Sequence, residues 1–229
     1  MITTNVFQRV FFIKGADYGT AFTIDYEGRQ YLITAKHIVP SLDSSSTIQF
    51  LHEDKWKTLQ VKMVGACSGE VDIVVLAPQK QLSPVYELPP TSGGLVMGQD
   101  VYFVGYPYKM WANIGELNRG IPFPFVKKGA ISSMFINEDK AQIFYIDAIN
   151  NPGFSGGPIV FSTTTSNAFN VCAVVSKFKI EFEPVLDKDG NKTEMTCTYN
   201  TGFLVGYGIK HAIAQIERNP IGFCLMKQS

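Results

Sequence analysis

The segment NPGFSGGP, residues 151 to 158, says more about this protein than any other stretch of its 229 residues. A serine hydroxyl is a poor nucleophile at neutral pH, and it needs an adjacent base and hydrogen-bond donors for the oxyanion that it creates. Gly153 permits a strained turn in which its own N–H and that of Ser155 point at one spot, while Gly156 and Gly157 leave room for backbone close to a substrate. Taken alone, the segment also fits a simple Gly/Pro turn between two strands.

His37 is the strongest candidate for the base that such a serine needs. It follows the apolar letters LITA within LITAKHIV, residues 32 to 39, where the end of a strand can hold a side chain rigidly. The sequence has only two other histidines. His52 lies in a polar stretch and His211 opens the last helix, so a surface or capping role suits both better. Taken alone, His37 also fits a hydrogen-bonded histidine of the core.

Asp72 is the candidate acid, at the start of the apolar stretch VDIVVLA, residues 71 to 77. A carboxylate in such a setting is costly unless it has a partner, and orienting a histidine provides one. Taken alone, Asp72 also fits a turn at the entry of a strand. Together, however, His37, Asp72 and Ser155 follow one another in the order of the chymotrypsin triad, which is far more specific than each residue alone.

Short apolar or alternating segments separated by turn residues recur along the chain, a pattern typical of all-β sandwiches and barrels. A linker rich in Pro, Gly and Ser, residues 81–94, divides them into two groups. The predicted strands are 6–14, 19–26, 29–35, 46–51, 57–65 and 72–78 before the linker, and 100–107, 127–136, 142–148, 156–161, 168–182, 194–199 and 202–208 after it. The stretch IKHAIAQIERNP predicts one helix, at about residues 209–218, that docks on the second group of strands. We therefore expect an N-terminal domain at 1–88 and a C-terminal domain at 89–229.

Composition excludes several classes of function. Lys plus Arg and Asp plus Glu number 20 each, so no global field favours nucleic acid or an anionic membrane. No signal peptide is recognised, and no apolar run approaches the ~18 residues that span a bilayer. Cys67, Cys172, Cys197 and Cys224 lack metal-binding spacing and are expected as buried or half-buried thiols, with a Cys172–Cys197 disulfide left open. We expect a cytoplasmic protein with no metal and no cofactor.

The motifs around the three candidate residues resemble those of trypsin-fold serine peptidases, most closely the bacterial HtrA-like branch without its PDZ domain. LITAKHIV is similar to that branch's strand ending in the catalytic histidine, VDIVVLAP to its Asp-led strand, and DAINNPGFSGGPIVF to its nucleophile segment. Gly105-Tyr106-Pro107, the stretch GAIS at 129–132 and GFLVGYGIKHAI resemble further motifs of the family. The resemblance covers about residues 18 to 216.

The resemblance implies two orthogonal six-stranded antiparallel β-barrels, the first carrying His37 and Asp72 and the second carrying Ser155. It also implies a serine endopeptidase acting on protein or peptide substrates through an acyl-enzyme, with the amides of Gly153 and Ser155 as the oxyanion hole. Ile149, six residues before the nucleophile, corresponds to the floor of the primary specificity pocket. An uncharged, branched floor favours cleavage after Val, Ala, Ile or Leu.

The resemblance also implies a mobile activation loop at residues 108–125, near the oxyanion hole. The sequence departs from the family at Phe154. Digestive-type relatives have an aspartate there that pairs with the freed N-terminus, and the HtrA-like branch commonly has a polar residue.

Two other functions compete with that of a serine peptidase, and one further motif, a calcium-binding loop, has to be considered. GFSGG, residues 153–157, fits the G-x-S-x-G elbow of α/β-hydrolase esterases, but the following GPIVF favours a strand where that fold needs a helix. A degenerate peptidase that binds peptides without cleaving them is the second. DKDGN, residues 187–191, lacks the spacing of further acidic ligands that an EF-hand calcium loop requires, and it predicts a hairpin turn.

Overall fold

Strands joined by short turns form most of the chain, in keeping with the alternating apolar pattern of the sequence. The computed structural model describes residues 2–39, 46–114, 118–163 and 168–225. No helix in these ranges is long and apolar enough to cross a membrane.

The first half of the chain forms a ring of six antiparallel strands in the order β3-β2-β1-β4-β5-β6, closed by pairing between β6 and β3. The strands of this first ring are β1 (Val10–Lys14), β2 (Tyr18–Tyr26), β3 (Arg29–Thr34), β4 (Ser46–His52), β5 (Lys55–Ala66) and β6 (Val74–Pro78). Closure matters for the site because it sets the end of β3 beside the start of β6.

The second half forms a closed barrel of six strands in the order β10-β11-β12-β9-β8-β7. Its strands are β7 (Asp100–Gly105), β8 (Phe125–Ile136), β9 (Gln142–Asp147), β10 (Pro158–Ser162), β11 (Phe169–Leu186) and β12 (Lys192–Gly208). The predicted all-β class, with two closed six-stranded sheets and a C-terminal helix, is confirmed. The predicted boundary between residues 88 and 89 stays a prediction.

The C-terminal helix α2 (Lys210–Arg218) lies against the second barrel, as expected, and also against the first ring. Ala212 and Ile216 are buried in a core shared with residues of both halves. Beyond the helix, Asn219 donates a hydrogen bond to the Val64 carbonyl of β5 at 3.0 Å. The chain then adds a short strand, β13 (Phe223–Cys224), to β3 of the first ring.

Three predicted strands have clearly different limits in the structure. A short helix, α1 (Thr4–Phe7), occupies the start of the predicted strand 6–14, and β1 begins only at Val10. Two predicted strands, 194–199 and 202–208, are one strand, β12. Gly202 has a φ of 81°, so the strand bulges there instead of ending.

The predicted hairpin turn at residues 187–191 is confirmed, because the Asp187 N–H donates to the Asn191 carbonyl at 2.8 Å. All four cysteines are free thiols. Cys67 and Cys172 are buried, as expected, whereas Cys197 and Cys224 are exposed. The Cys172–Cys197 disulfide does not form, because Cys197 pairs across the hairpin with Glu183, far along β11 from Cys172.

Tyr106 ties the second barrel to the first. Its ring is fully buried and stacks on Phe12 of β1, with ring centroids 5.0 Å apart. Its hydroxyl lies 3.1 Å from the Val10 carbonyl and 2.8 Å from the Pro122 carbonyl. Burial raises the pKa of Tyr106 well above 10, so the hydroxyl keeps the proton that it donates.

We expect Tyr106→Phe to lower the free energy of unfolding by about 1–2 kcal/mol, because the buried carbonyls lose their donor while the ring packing remains. Urea denaturation would measure the change. Tyr86→Phe, at a side chain that is half exposed, is the control and should shift the free energy by less than about 0.5 kcal/mol. Equal effects of the two substitutions would contradict this role for Tyr106.

Candidate active site

His37 and Asp72 meet at one end of the first ring. His37 lies in a single turn of 3-10 helix, Lys36–Ile38, just after β3, and Asp72 lies just before β6. Because β3 and β6 pair in antiparallel register, with Thr34 opposite Val74, the end of one strand adjoins the start of the other. The Nδ1 atom of His37 is 2.6 Å from Oδ2 of Asp72, and the His37 N–H donates to Oδ1 at 3.0 Å.

The Asp72 carboxylate is mostly buried, with 16% of the side chain exposed, whereas half of the His37 side chain is exposed. Burial acts to raise the pKa of Asp72, but hydrogen bonds from His37 and Ser176 outweigh it and lower this pKa below its ordinary value. The hydrogen bond with Asp72 raises the pKa of His37 against the opposing effect of burial. Asp72 is therefore ionised at neutral pH and favours the protonated imidazole.

Ser176 connects the acid to the candidate nucleophile. Its hydroxyl donates to Oδ2 of Asp72 at 2.7 Å, and its carbonyl accepts a hydrogen bond from the Ser155 hydroxyl at 2.9 Å. The register of β11 against β12 shifts between Val175 and Lys177, so Ser176 is the extra residue of a β-bulge. The bulge turns the serine out of the regular ladder toward the acid.

The turn that carries Ser155 leaves two amides free. Within the described ranges, neither the Gly153 N–H nor the Ser155 N–H donates a hydrogen bond. The Pro152 carbonyl accepts from the Tyr108 N–H at 2.8 Å. Because N–H and C=O point in opposite directions in a trans peptide, the Gly153 N–H points away from Tyr108. Gly153 has a φ of 107°, and a Cβ there would lie 2.2 Å from the Tyr106 carbonyl oxygen, so only glycine fits.

Thr20 of β2 holds this turn against the first ring. Its hydroxyl donates to the Gly153 carbonyl at 2.7 Å, and its N–H donates to the Ser155 carbonyl at 2.9 Å. At Gly156 a Cβ would lie 2.1 Å from the Thr20 carbonyl oxygen. The backbone of the second barrel therefore packs directly on the first, and this places Ser155 near His37.

A cavity of about 770 Å³ lies where the two halves meet, and both His37 and Ser155 line it. Its other lining residues are Asp17, Tyr18, Tyr108, Lys109, Asn150, Asn151, Pro152, Gly153, Ser176, Lys177, Phe178 and Ile180. Asp17 is the one acidic residue among them, beside two lysines and the apolar side chains of Phe178 and Ile180. The cavity is large enough for several residues of a peptide.

The structure does not bring Ile149 into this cavity. Its side chain is 58% exposed and is absent from the lining. Its carbonyl accepts a hydrogen bond from the ammonium group of Lys127. Of the predicted activation loop at 108–125, Tyr108 and Lys109 line the cavity, and residues 115–117 lie outside the described residues.

Phe154 has a packing role. Its side chain is fully buried and its ring contacts Phe103 of β7 edge to face, with centroids 4.9 Å apart. An apolar residue therefore anchors the nucleophile turn in the core of the second barrel, at the position where the resemblance implies a polar or acidic residue.

Three residues near the candidate triad have roles that sequence reasoning did not assign. Ser176 interrupts the apolar run VCAVVSKF, and a lone serine in such a strand is the signal that could have singled it out. Thr20 sits in an ordinary alternating strand, and Tyr108 acts through its backbone, so neither leaves a local signal.

Two closed six-stranded antiparallel sheets with a cavity at their junction form the chymotrypsin-like fold. The chain belongs to the trypsin-like peptidase domain family, whose model matches residues 19–165. Family and fold together support a protease hydrolase. The sequence has no significant match among curated proteins.

Solved structures with the same fold include HtrA-type proteases. The HtrA-type protease AlgW with a tripeptide has a TM-score of 0.59 and 21% identity, over 95% of this chain and 62% of that one. The inactive form of the Rv3671c protease, from M. tuberculosis H37Rv, has a TM-score of 0.58 and 18% identity, over 93% and 90% of the two chains. The chain thus spans about three fifths of the length of AlgW. At these identities the likeness concerns the fold alone.

We expect two histidines of this protein to titrate on opposite sides of the ordinary pKa of 6.5. The bond to Asp72 raises the pKa of His37, whereas burial lowers that of His211. Protonation followed by NMR in the Ser155→Ala protein would measure both. Asp72→Asn should lower the pKa of His37, because it removes the negative charge, and should leave His211 unchanged. A His37 pKa below 6.5 with Asp72 in place would contradict the pairing.

Proposed function

We propose that this protein is a serine endopeptidase in which Ser155 is the nucleophile, His37 the general base and Asp72 the residue that orients His37. The observation that carries the proposal is the 2.6 Å contact between His37 and the mostly buried Asp72 carboxylate, beside a cavity that His37 and Ser155 both line. An acid at Nδ1 fixes the imidazole tautomer and leaves Nε2 to accept a proton. Within the described part of the chain, Nε2 of His37 has no hydrogen-bond partner.

The reaction that follows from these roles has two halves. Ser155 Oγ attacks the carbonyl carbon of the scissile bond while His37 Nε2 takes the hydroxyl proton. His37 then gives that proton to the leaving amine, which departs and leaves an acyl-enzyme on Ser155. Water attacks the ester in the same manner, again with His37 as base, and frees Ser155. Asp72 stays ionised and stabilises the imidazolium in each half.

The Gly153 and Ser155 amides are the proposed donors to the oxyanion. Both N–H groups are unpaired within the described residues, and the hydrogen bond between Tyr108 and the Pro152 carbonyl fixes the peptide that carries one of them. Preorganised donors of this kind are worth about 10²–10³ in kcat each in comparable enzymes. AlgW, whose structure contains this fold, has been solved with a tripeptide.

One observation keeps a second candidate in consideration, a peptide-binding protein that does not cleave. The Ser155 hydroxyl donates to the Ser176 carbonyl instead of to His37. A rotation about the Cα–Cβ bond of Ser155 is needed before His37 can take its proton. Catalytic hydrogen bonds often form only when substrate is bound, so this geometry is compatible with both candidates, and covalent labelling of Ser155 distinguishes them.

For the residue on the acyl side of the scissile bond, P1, we propose a preference for Val, Ala, Ile or Leu. The cavity offers a P1 cation only Asp17 as counter-ion and contains two lysines, Lys109 and Lys177. Burying an unpaired cation is costly, so Arg and Lys are disfavoured. Phe178 and Ile180 supply apolar surface in the cavity. Ile149 remains the proposed floor of the P1 pocket and must turn toward the cavity when substrate binds.

We expect Ser155→Ala to abolish labelling by a fluorophosphonate probe, and Ser155→Ala and His37→Ala each to abolish peptide hydrolysis, since the triad acts as a unit. Asp72→Asn should reduce kcat by about 10⁴, because the imidazole loses its correct tautomer. His52→Ala is the matched control and should keep full activity. Unchanged turnover in His37→Ala would overturn the assignment, and a folded wild type that resists the probe would favour the binding protein.

We expect Ile149→Ala to broaden cleavage toward P1 Phe and Tyr, because a smaller floor deepens the pocket. Peptide-library profiling of P1 would measure the change. Ile136→Ala is the control, at another side chain that is 58% exposed, and should leave the profile as in wild type. A wild-type profile dominated by Arg or Lys would contradict the proposed preference, and identical profiles for the two variants would remove Ile149 from the pocket.

A further inference from the structure

The hairpin of β11 and β12 extends beyond the second barrel as a two-stranded arm. Strand β12 pairs with β9 only from Phe203 onward, where Phe203 lies opposite Asp147. Among the described residues, the strands of the arm, defined here as residues 179–201, pair only with each other. At its base, the Asn200 side chain donates a hydrogen bond to the Asn150 carbonyl at 2.8 Å. An isolated two-stranded hairpin is marginally stable in water, so an arm of this length needs further contacts to stabilise it.

The two faces of the arm differ in character. Residues directly opposite in the antiparallel register share a face. One face, which we call the apolar face, carries the pairs Ile180–Asn200, Phe182–Thr198 and Pro184–Thr196. These six residues include no charge. The opposite face carries the charges of β11, where Lys179 and Glu181 form an ion pair at 2.9 Å and Glu183 follows.

The apolar face is open to solvent. Ile180 is 49% exposed and Phe182 is 65% exposed. Apolar surface that is gathered on one face, away from the charged one, indicates a binding site more often than a scatter of single residues does.

This face is continuous with the candidate active site. Phe178 and Ile180, on the same side of β11, line the cavity with Ser155. Within the described residues, the outer edge of β11 also has no strand partner beyond Val175, because its pairing with β10 starts at Val174 and runs back toward Phe169. A free strand edge offers N–H and C=O groups to an extended chain, and alternate side chains of that chain would then contact the apolar face.

We propose that the free edge of β11 and the apolar face of the arm bind an extended, apolar segment of the polypeptide substrate, several residues from the scissile bond. The inference rests on the proposed endopeptidase function. Phe182 is six residues beyond Ser176, or about 20 Å along a strand. A substrate strand therefore reaches Phe182 with residues about five to seven positions from the bond that is cleaved.

The features of the arm favour a polypeptide over other occupants. The three pairs of the apolar face carry no charge and give nothing to an anionic or cationic ligand, although the next pair toward the tip, Leu186–Lys192, adds one lysine. A free strand edge matches a peptide backbone. Selection at this distance would make the enzyme prefer long substrates with alternating apolar residues over short ones that contain the same scissile bond.

The test compares three peptides with one scissile sequence. One is short, and the others carry an alternating apolar extension, five to seven residues from the scissile bond, on the amino or the carboxyl side. We expect kcat/KM for one extended peptide to exceed that of the short one by about tenfold, the order that burial of an aromatic side chain supplies. In Phe182→Ala, the ratio of kcat/KM for the extended peptide to that for the short peptide should fall close to one. Glu183→Ala, on the charged face, is the matched control and should keep the wild-type ratio.

A binding measurement keeps failure of this proposal distinct from failure of catalysis. Fluorescence anisotropy of the labelled extended peptide with Ser155→Ala protein should show a Kd about tenfold lower than with the Ser155→Ala, Phe182→Ala double variant. If hydrolysis is absent but this difference is present, the arm proposal stands and the endopeptidase proposal fails. The arm proposal is overturned if the Ser155→Ala and the double variant bind the extended peptide with equal Kd and the wild-type enzyme has equal kcat/KM for the extended and the short peptides. A dimer in sedimentation velocity that Phe182→Ala dissociates also overturns it, since a second copy then covers the face.

Discussion

The close packing of the nucleophile turn on β2 is the constraint on which the rest of the site depends. The candidate triad is divided between two barrels, so its geometry is only as exact as their junction. Thr20 makes that junction with its hydroxyl, its N–H and its carbonyl, against Gly153, Ser155 and Gly156 in turn. In the nucleophile turn, all of these contacts are made by backbone atoms. They therefore position Ser155 without depending on the conformation of any side chain of the turn. Tyr106 adds a buried link close by.

The Asp72 carboxylate imposes the second requirement. A buried charge is tolerated only when donors replace the water that it loses. His37 supplies two of these donors, from its backbone and its ring, and Ser176 supplies the third. The same bonds that offset the cost of burial hold the imidazole in place. The hydrogen bonds to Asp72 therefore both stabilise its buried charge and position His37 for proton transfer.

The strands of both closed sheets pair around their barrels, whereas among the described residues the arm of β11 and β12 pairs with no third strand. Closed barrels protect their backbone hydrogen bonds and their apolar faces from other chains. Strands β11 and β12 leave the barrel near Gly202, where β12 bulges, and expose both an edge and an apolar face beside the cavity. The arm, whose edge and apolar face are open to other chains, thus adjoins the cavity where a substrate polypeptide is expected.

The sequence by itself determined the all-β class, the two groups of strands, the C-terminal helix and the three candidate residues, because alternation, helical periodicity and Gly/Pro turns are local signals. Only the tertiary structure decided which distant residues meet. It revealed Ser176 and Thr20 at the site, set α2 against both halves and left Ile149 outside the cavity. Such contacts depend on strand register and barrel closure, which join residues more than a hundred positions apart, so no local pattern encodes them.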